Sequence, residues 1–82
     1  MKIVRRHGSS PKERCSTNIS CPDVLELADG NFAVIGLDAT EELDGELIDV
    51  EAARGAHERI VVLPREVMLA ALGDIRKSQT PD

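Results

Sequence analysis

Residues 21–36 read CPDVLELADGNFAVIG, two short apolar stretches on either side of Ala28-Asp29-Gly30-Asn31. Asp-Gly between alternating apolar residues is a strong β-hairpin signal. At the centre of a two-residue loop it predicts a type I′ turn, in which both residues take positive φ. Such a turn pairs Leu27 with Phe32, Glu26 with Ala33, Leu25 with Val34 and Val24 with Ile35. Side chains alternate between the faces of a strand, so Leu25, Leu27, Phe32 and Val34 are expected together on one apolar face. The other face mixes Val24, Glu26, Ala28, Asn31, Ala33 and Ile35. Asp29 and Gly30 are thereby explained by turn geometry and not by chemistry.

Outward from the hairpin, DATEELDGELI (38–48) predicts a short acidic helix. Asp38 is its N-cap, Glu41 stands three residues on, and Ala39, Leu43 and Leu47 fall at helical spacing. Gly45 weakens it. DVEAARGAHE (49–58) reads as a loop, RIVVL (59–63) as a strand, and Pro64 as the opening of a second helix. In PREVMLAALGDI (64–75), Val67, Ala70 and Ala71, with Met68 or Leu72, form the inward stripe and Gly73 is placed to stop the helix. Toward the N-terminus, residues 5–20 show neither helical nor strand periodicity. Residues 1–20 are therefore expected to be a flexible basic arm, with Met1 to Val4 available as an edge strand. Residues 21–76 form a single small domain and 77–82 a disordered tail. The fold class is α+β: a small antiparallel sheet of about three strands, hairpin 24–36 plus strand 59–63, with short helices packed on one face.

The 82 residues allow one domain. A core of this size supplies roughly 3–5 kcal/mol net, so a homodimer or a permanent partner is expected. The composition, 41% hydrophobic and 30% charged, is that of a folded chain. Phe32 is its only aromatic residue, which leaves no stacking platform for single-stranded nucleic acid. No run has the length of a signal peptide's apolar core or a membrane span, which points to the cytoplasm. Cys15 and Cys21 are expected there as thiols, although their spacing permits a bridge under oxidising conditions. Net charge is −5, distributed unevenly. Residues 1–14 carry +4, residues 15–58 carry −10 and residues 59–82 carry +1. A basic arm precedes an acidic body, and such a body repels phosphate and favours cationic partners.

His7, Cys15, Cys21 and His57 are donor types for zinc, but they lack the close ligand pairs of structural zinc sites, so free thiols and solvent-facing imidazoles are expected. Cys21 and His57 could be drawn as a thiolate pair, yet no nucleophile elbow or orienting third residue accompanies them. The acids of residues 38–51 lack the alternating donors and central glycine of an EF-hand loop. Lys2, Arg5, Arg6, Lys12 and Arg14 could touch phosphate, but beside so acidic a body any nucleic-acid affinity is expected to be weak and salt-sensitive. The leading expectation is a non-enzymatic interaction module without cofactor. Its partner contacts are Asp38, Glu41, Glu42, Asp44 and Glu46, together with Arg5 and Arg6. The rival is a zinc- or thiol-dependent protein using Cys15, Cys21 and His57.

CPDVLELADGNFAVIGLDAT (21–40), followed after an acidic segment by ERIVVLPREVMLAAL (58–72), resembles short actinobacterial proteins of a domain-of-unknown-function family related to the developmental regulator BldB. The matching features are Cys21, the hairpin Val24 to Gly36, the strand Ile60 to Leu63, and Pro64-Arg65-Glu66. The resemblance implies a protein that partners a helix-turn-helix regulator of the WhiJ type, and it implies no catalytic residues.

Overall fold

The computed structural model describes residues 1–8 and 21–79. Three strands, β1 (Ile3–His7), β2 (Asp23–Leu27) and β3 (Phe32–Ile35), form an antiparallel sheet in the order β1-β2-β3. A second, two-stranded sheet pairs β4 (Leu37–Asp38) with β5 (Val61–Val62). Helix α1 (Thr40–Leu43) is one turn long, and α2 (Arg65–Gln79) runs for 15 residues and packs on β1 and β2. The α+β class holds, but the third strand of the main sheet is β1 and not the segment 59–63. Part of the span expected as a flexible arm is thus strand. Likewise residues 77–79, expected in the tail, belong to α2. Residues 9–20 and 80–82, the rest of the expected arm and tail, lie outside the described residues.

The hairpin is present with a different turn. Gly30 N–H donates to the Leu27 carbonyl at 3.0 Å, and Leu27 N–H donates to the Asn31 carbonyl at 2.9 Å. The loop therefore has three residues, Ala28 to Gly30, and only Gly30 takes positive φ, at 92°. This is the bulged alternative to the two-residue turn. Asp29 is held by its own side chain, whose Oδ1 accepts the Asn31 N–H at 2.9 Å. The register shifts by one: Glu26 pairs with Phe32, Leu25 with Ala33, Val24 with Val34 and Asp23 with Ile35. A slip of one moves every β3 side chain to the other face. Phe32 and Val34 consequently join Val24 and Glu26, and at 43% and 40% exposure they are not core residues.

Among the described residues the buried apolar set is Val24, Leu25, Leu27, Ala39, Val67 and Ala71. β2 is the central strand, which explains why residues on both of its faces are buried. On α2 the inward positions are Val67 and Ala71, whereas Ala70, Met68 and Leu72 are exposed. Gly73 does not stop the helix. It lacks the positive φ of a C-terminal cap, and the next residue, Asp74, is tied to the sheet. Tertiary contact here overrides the low helix propensity of glycine.

The β4–β5 ladder depends on close approach at Gly36, where an added Cβ would lie 2.6 Å from the Val62 carbonyl oxygen. Thr40 then seals the ladder: its hydroxyl donates to Asp38 Oδ1 at 2.7 Å and accepts the Ile60 N–H at 2.7 Å. Asp38 is not the helix N-cap. That position is Ala39, and Asp38 bonds the Thr40 N–H from one residue further out. α1 ends after one turn, and the chain continues through two 3-10 turns, Asp44–Glu46 and Ile48–Val50, the first of which begins at Asp44, the partner of Arg54. The short acidic helix expected over 38–48 is thus limited to Thr40–Leu43 and gives way to 3-10 turns from Asp44.

Candidate functional site

The acids expected to meet a partner are distributed in two groups. Asp38 and Asp44 are used internally. Asp38 accepts from Thr40 and from Arg59, with Arg59 Nη2 at 3.0 Å. The Thr40 hydroxyl first, then the Thr40 N–H and Arg59, hold its carboxyl down at about 2. Asp44 takes the fork of Arg54 at 2.9 and 3.3 Å, and the same guanidinium donates to the carbonyls of Gly55 and Glu58. Arg54 thereby closes the 44–58 loop on itself.

Glu41, Glu42 and Glu46 are exposed, as are Asp49 and Glu51, and none has an ion-pair partner among the described residues. The second 3-10 turn also presents Ile48 at 80% exposure and Val50 at 72%. Glu51, in the left-handed region at φ 60°, ends that turn. Two large aliphatic side chains thus stand in water among unpaired carboxylates. Hydrophobic spacing did not single them out, because periodicity detects side chains that face a core and these face away from it. The alternation Ile48-Asp49-Val50-Glu51 is the local signal that marks them.

The basic contacts expected from Arg5 and Arg6 lie on β1, facing opposite sides of the sheet. Arg6 makes a two-pronged pair with Asp23, at 2.6 and 3.2 Å, and Asp23 is 4% exposed. Arg5 approaches Glu26 at 3.8 Å and is more than half exposed. Between them in role lies His7, expected as a solvent-facing imidazole and found buried at 2% exposure. Its Nε2 is 2.6 Å from Glu26 Oε1 and its Nδ1 is 2.9 Å from Asp74 Oδ2. The Phe32 ring lies 5.9 Å away, tilted by 57°. Acceptors on both sides call for a proton on each ring nitrogen. The Glu26 bond pulls the His7 pKa up, burial opposes it, and the Asp74 bond adds to the rise.

Cys21, expected as a thiol, is disulfide-bonded, so no Cys21 thiolate faces His57. Among the described residues no group of three His, Cys, Asp or Glu side chains is placed to hold a metal ion, and Cys15 lies outside them. Nor is any described helix long and apolar enough to cross a membrane.

The fold and surface define a small α+β domain with a three-stranded antiparallel sheet and an exposed acidic segment. No family model, no curated protein and no solved structure matches the chain. The likeness to BldB-related proteins rests on the quoted residues alone.

Proposed function

We propose that the protein is a non-enzymatic interaction module that binds another protein through residues 40–51, and that its partner is a basic, DNA-binding transcriptional regulator. The observation that carries this reading is the exposure of Ile48 and Val50 among Glu41, Glu42, Glu46, Asp49 and Glu51. Apolar anchors inside a charged rim are the anatomy of a protein interface, in which the anchors supply affinity and the rim supplies orientation and rate of encounter. A net charge of −10 over residues 15–58 favours a cationic surface opposite. The DNA-binding surface of a regulator is of that kind, and occupying it would keep the regulator from DNA. A partner of this type places the protein in the cytoplasm, where reducing conditions would open the Cys21 disulfide. The contact is accordingly assigned to a segment that does not include Cys21.

Capture from lysate of the native host at low salt tests this. The wild-type chain should retain one basic protein in stoichiometric amount, lose it as salt is raised, and fail to retain it when Glu41, Glu42 and Glu46 are all changed to Lys. Recovery of the same protein by the charge-reversed variant would overturn the assignment of the contact.

A further inference from the structure

His7 occupies the one place where β1, β2 and α2 meet through ionisable side chains among the described residues. Glu26 comes to it from β2 and Asp74 from α2, each on its own ring nitrogen. Asp74 Oδ2 also accepts the Gly8 N–H at 3.3 Å, so one carboxylate oxygen of α2 holds both the side chain of His7 and the backbone of the residue after it. Among the described residues, the side chains that α2 buries are Val67 and Ala71, both small or medium in size. Gly8 fits against the helix backbone at Ala71, where an added Cβ would lie 3.2 Å from its nitrogen. An imidazole that is 2% exposed cannot exchange its two carboxylate partners for water without the helix moving.

We propose that His7 is a protonation-controlled clasp that holds α2 on the sheet when charged and loosens it when neutral. Neutral imidazole keeps a single N–H, so one of Glu26 and Asp74 is left facing a ring nitrogen that carries no proton. Two acceptors then oppose each other across a distance set for a hydrogen bond. Release is at α2 rather than at β2, because β2 is also held by hydrogen-bonded ladders on both sides.

The charged groups around the clasp set its sign. Glu26 and Asp74 favour imidazolium. Arg5 on β1 lies 3.8 Å from Glu26, and Lys77 on α2 acts on Asp74; each moderates a carboxylate and neither bonds to the imidazole. His7 is raised above its ordinary 6.5, so the clasp is fully present below that value and is lost as pH climbs through the higher folded-state midpoint. Asp74 is held below its ordinary 3.8, by His7 first and by the Gly8 N–H second, so its share is lost only as pH falls through the acid range. The clasp is therefore strongest between the carboxylate range and 6.5.

Loosening uncovers Val67 and Ala71 together with the sheet face that carries Val24. The device is independent of residues 40–51 and stands whether or not that segment binds a protein.

The test is hydrogen exchange of the full chain across pH 5 to 9, corrected for intrinsic rates, beside an NMR titration of the two imidazoles with a His57→Gln variant to assign them. The expected result is a His7 midpoint above 6.5, with protection of the amides of 67–79 falling several-fold through that midpoint while β2 amides keep theirs. Asp74→Asn, at a position open to solvent, should lower α2 protection at pH 5.5 and flatten its pH dependence. His7→Gln should make it independent of pH. A His7 midpoint at or below 6.5 would overturn the proposal, as would α2 protection that stays level through the titration. An Asp74→Asn profile parallel to the wild type would do the same, since a merely structural role lowers protection equally at every pH.

Discussion

Leu27 and Phe32 flank the hairpin turn, and a sequence pattern alone treats them as equal members of one apolar face. In the fold they differ: Leu27 is 6% exposed in the central strand, and Phe32 is 43% exposed on the outer strand beside His7. Truncating a buried leucine costs about 2–5 kcal/mol, so Leu27→Ala should leave this small domain largely unfolded at room temperature. An aromatic contact of the Phe32–His7 kind contributes only about 1 kcal/mol beyond area burial, so Phe32→Ala should stay folded with a modestly lower midpoint. Thermal unfolding followed by circular dichroism separates the two. Equal loss would restore the type I′ register, in which both side chains share the core face. Asp-Gly suits hairpin loops of two different lengths, so the dipeptide alone does not choose the register. What decides between them is a side-chain bond, Asp29 to Asn31, that satisfies Asp29 without a positive φ. The burial of His7 is hidden from the sequence for a related reason: its surroundings come from Glu26 and from Asp74, 67 residues away in the chain, and no local pattern reports that meeting.

At the scale of elements, Gly73 and Gly36 respond to an added methyl group in opposite ways. Gly73 lies inside α2, and a Cβ built there meets no atom within 4 Å. Glycine in a helix interior costs roughly 0.5–1 kcal/mol relative to alanine, so Gly73→Ala should stabilise the protein by that amount. About 1 kcal/mol shifts the melting midpoint of a domain this small by roughly 4–8 °C. Gly36→Ala should do the reverse, because its Cβ would press on the Val62 carbonyl at 2.6 Å and force β4 away from β5. A cost of about 1–3 kcal/mol is expected from such overpacking, with increased exchange at Val61 and Val62. Stabilisation by both substitutions would mean that the β4–β5 ladder is not formed. The strands at 24–36 and 59–63 and the helix after Pro64 were legible, since alternation, β-branched runs and an N-terminal proline are local signals. Partners were not: the strand at 59–63 pairs with β4, and β1 completes the main sheet from within a polar, basic stretch. Strand pairing depends on which backbone edges meet, and composition carries no record of it.

For the whole molecule, charge was legible as a block and illegible as a surface. The count of acids between residues 15 and 58 points to a cationic partner, but it cannot tell that Asp38 and Asp44 are consumed by Thr40, Arg59 and Arg54 while Glu41, Glu42 and Glu46 have no ion-pair partner among the described residues. Nor does it show that Ile48 and Val50 stand among them in solvent. On the proposed function, residues 40–51 are where this molecule meets another protein. The most direct measurement is hydrogen exchange on the complex recovered by low-salt capture, compared with the free chain. Slowed exchange over 40–51, and loss of the complex on Ile48→Asp, is the predicted result. Slowed exchange confined to the three-stranded sheet or α2, with 40–51 unchanged, would contradict it.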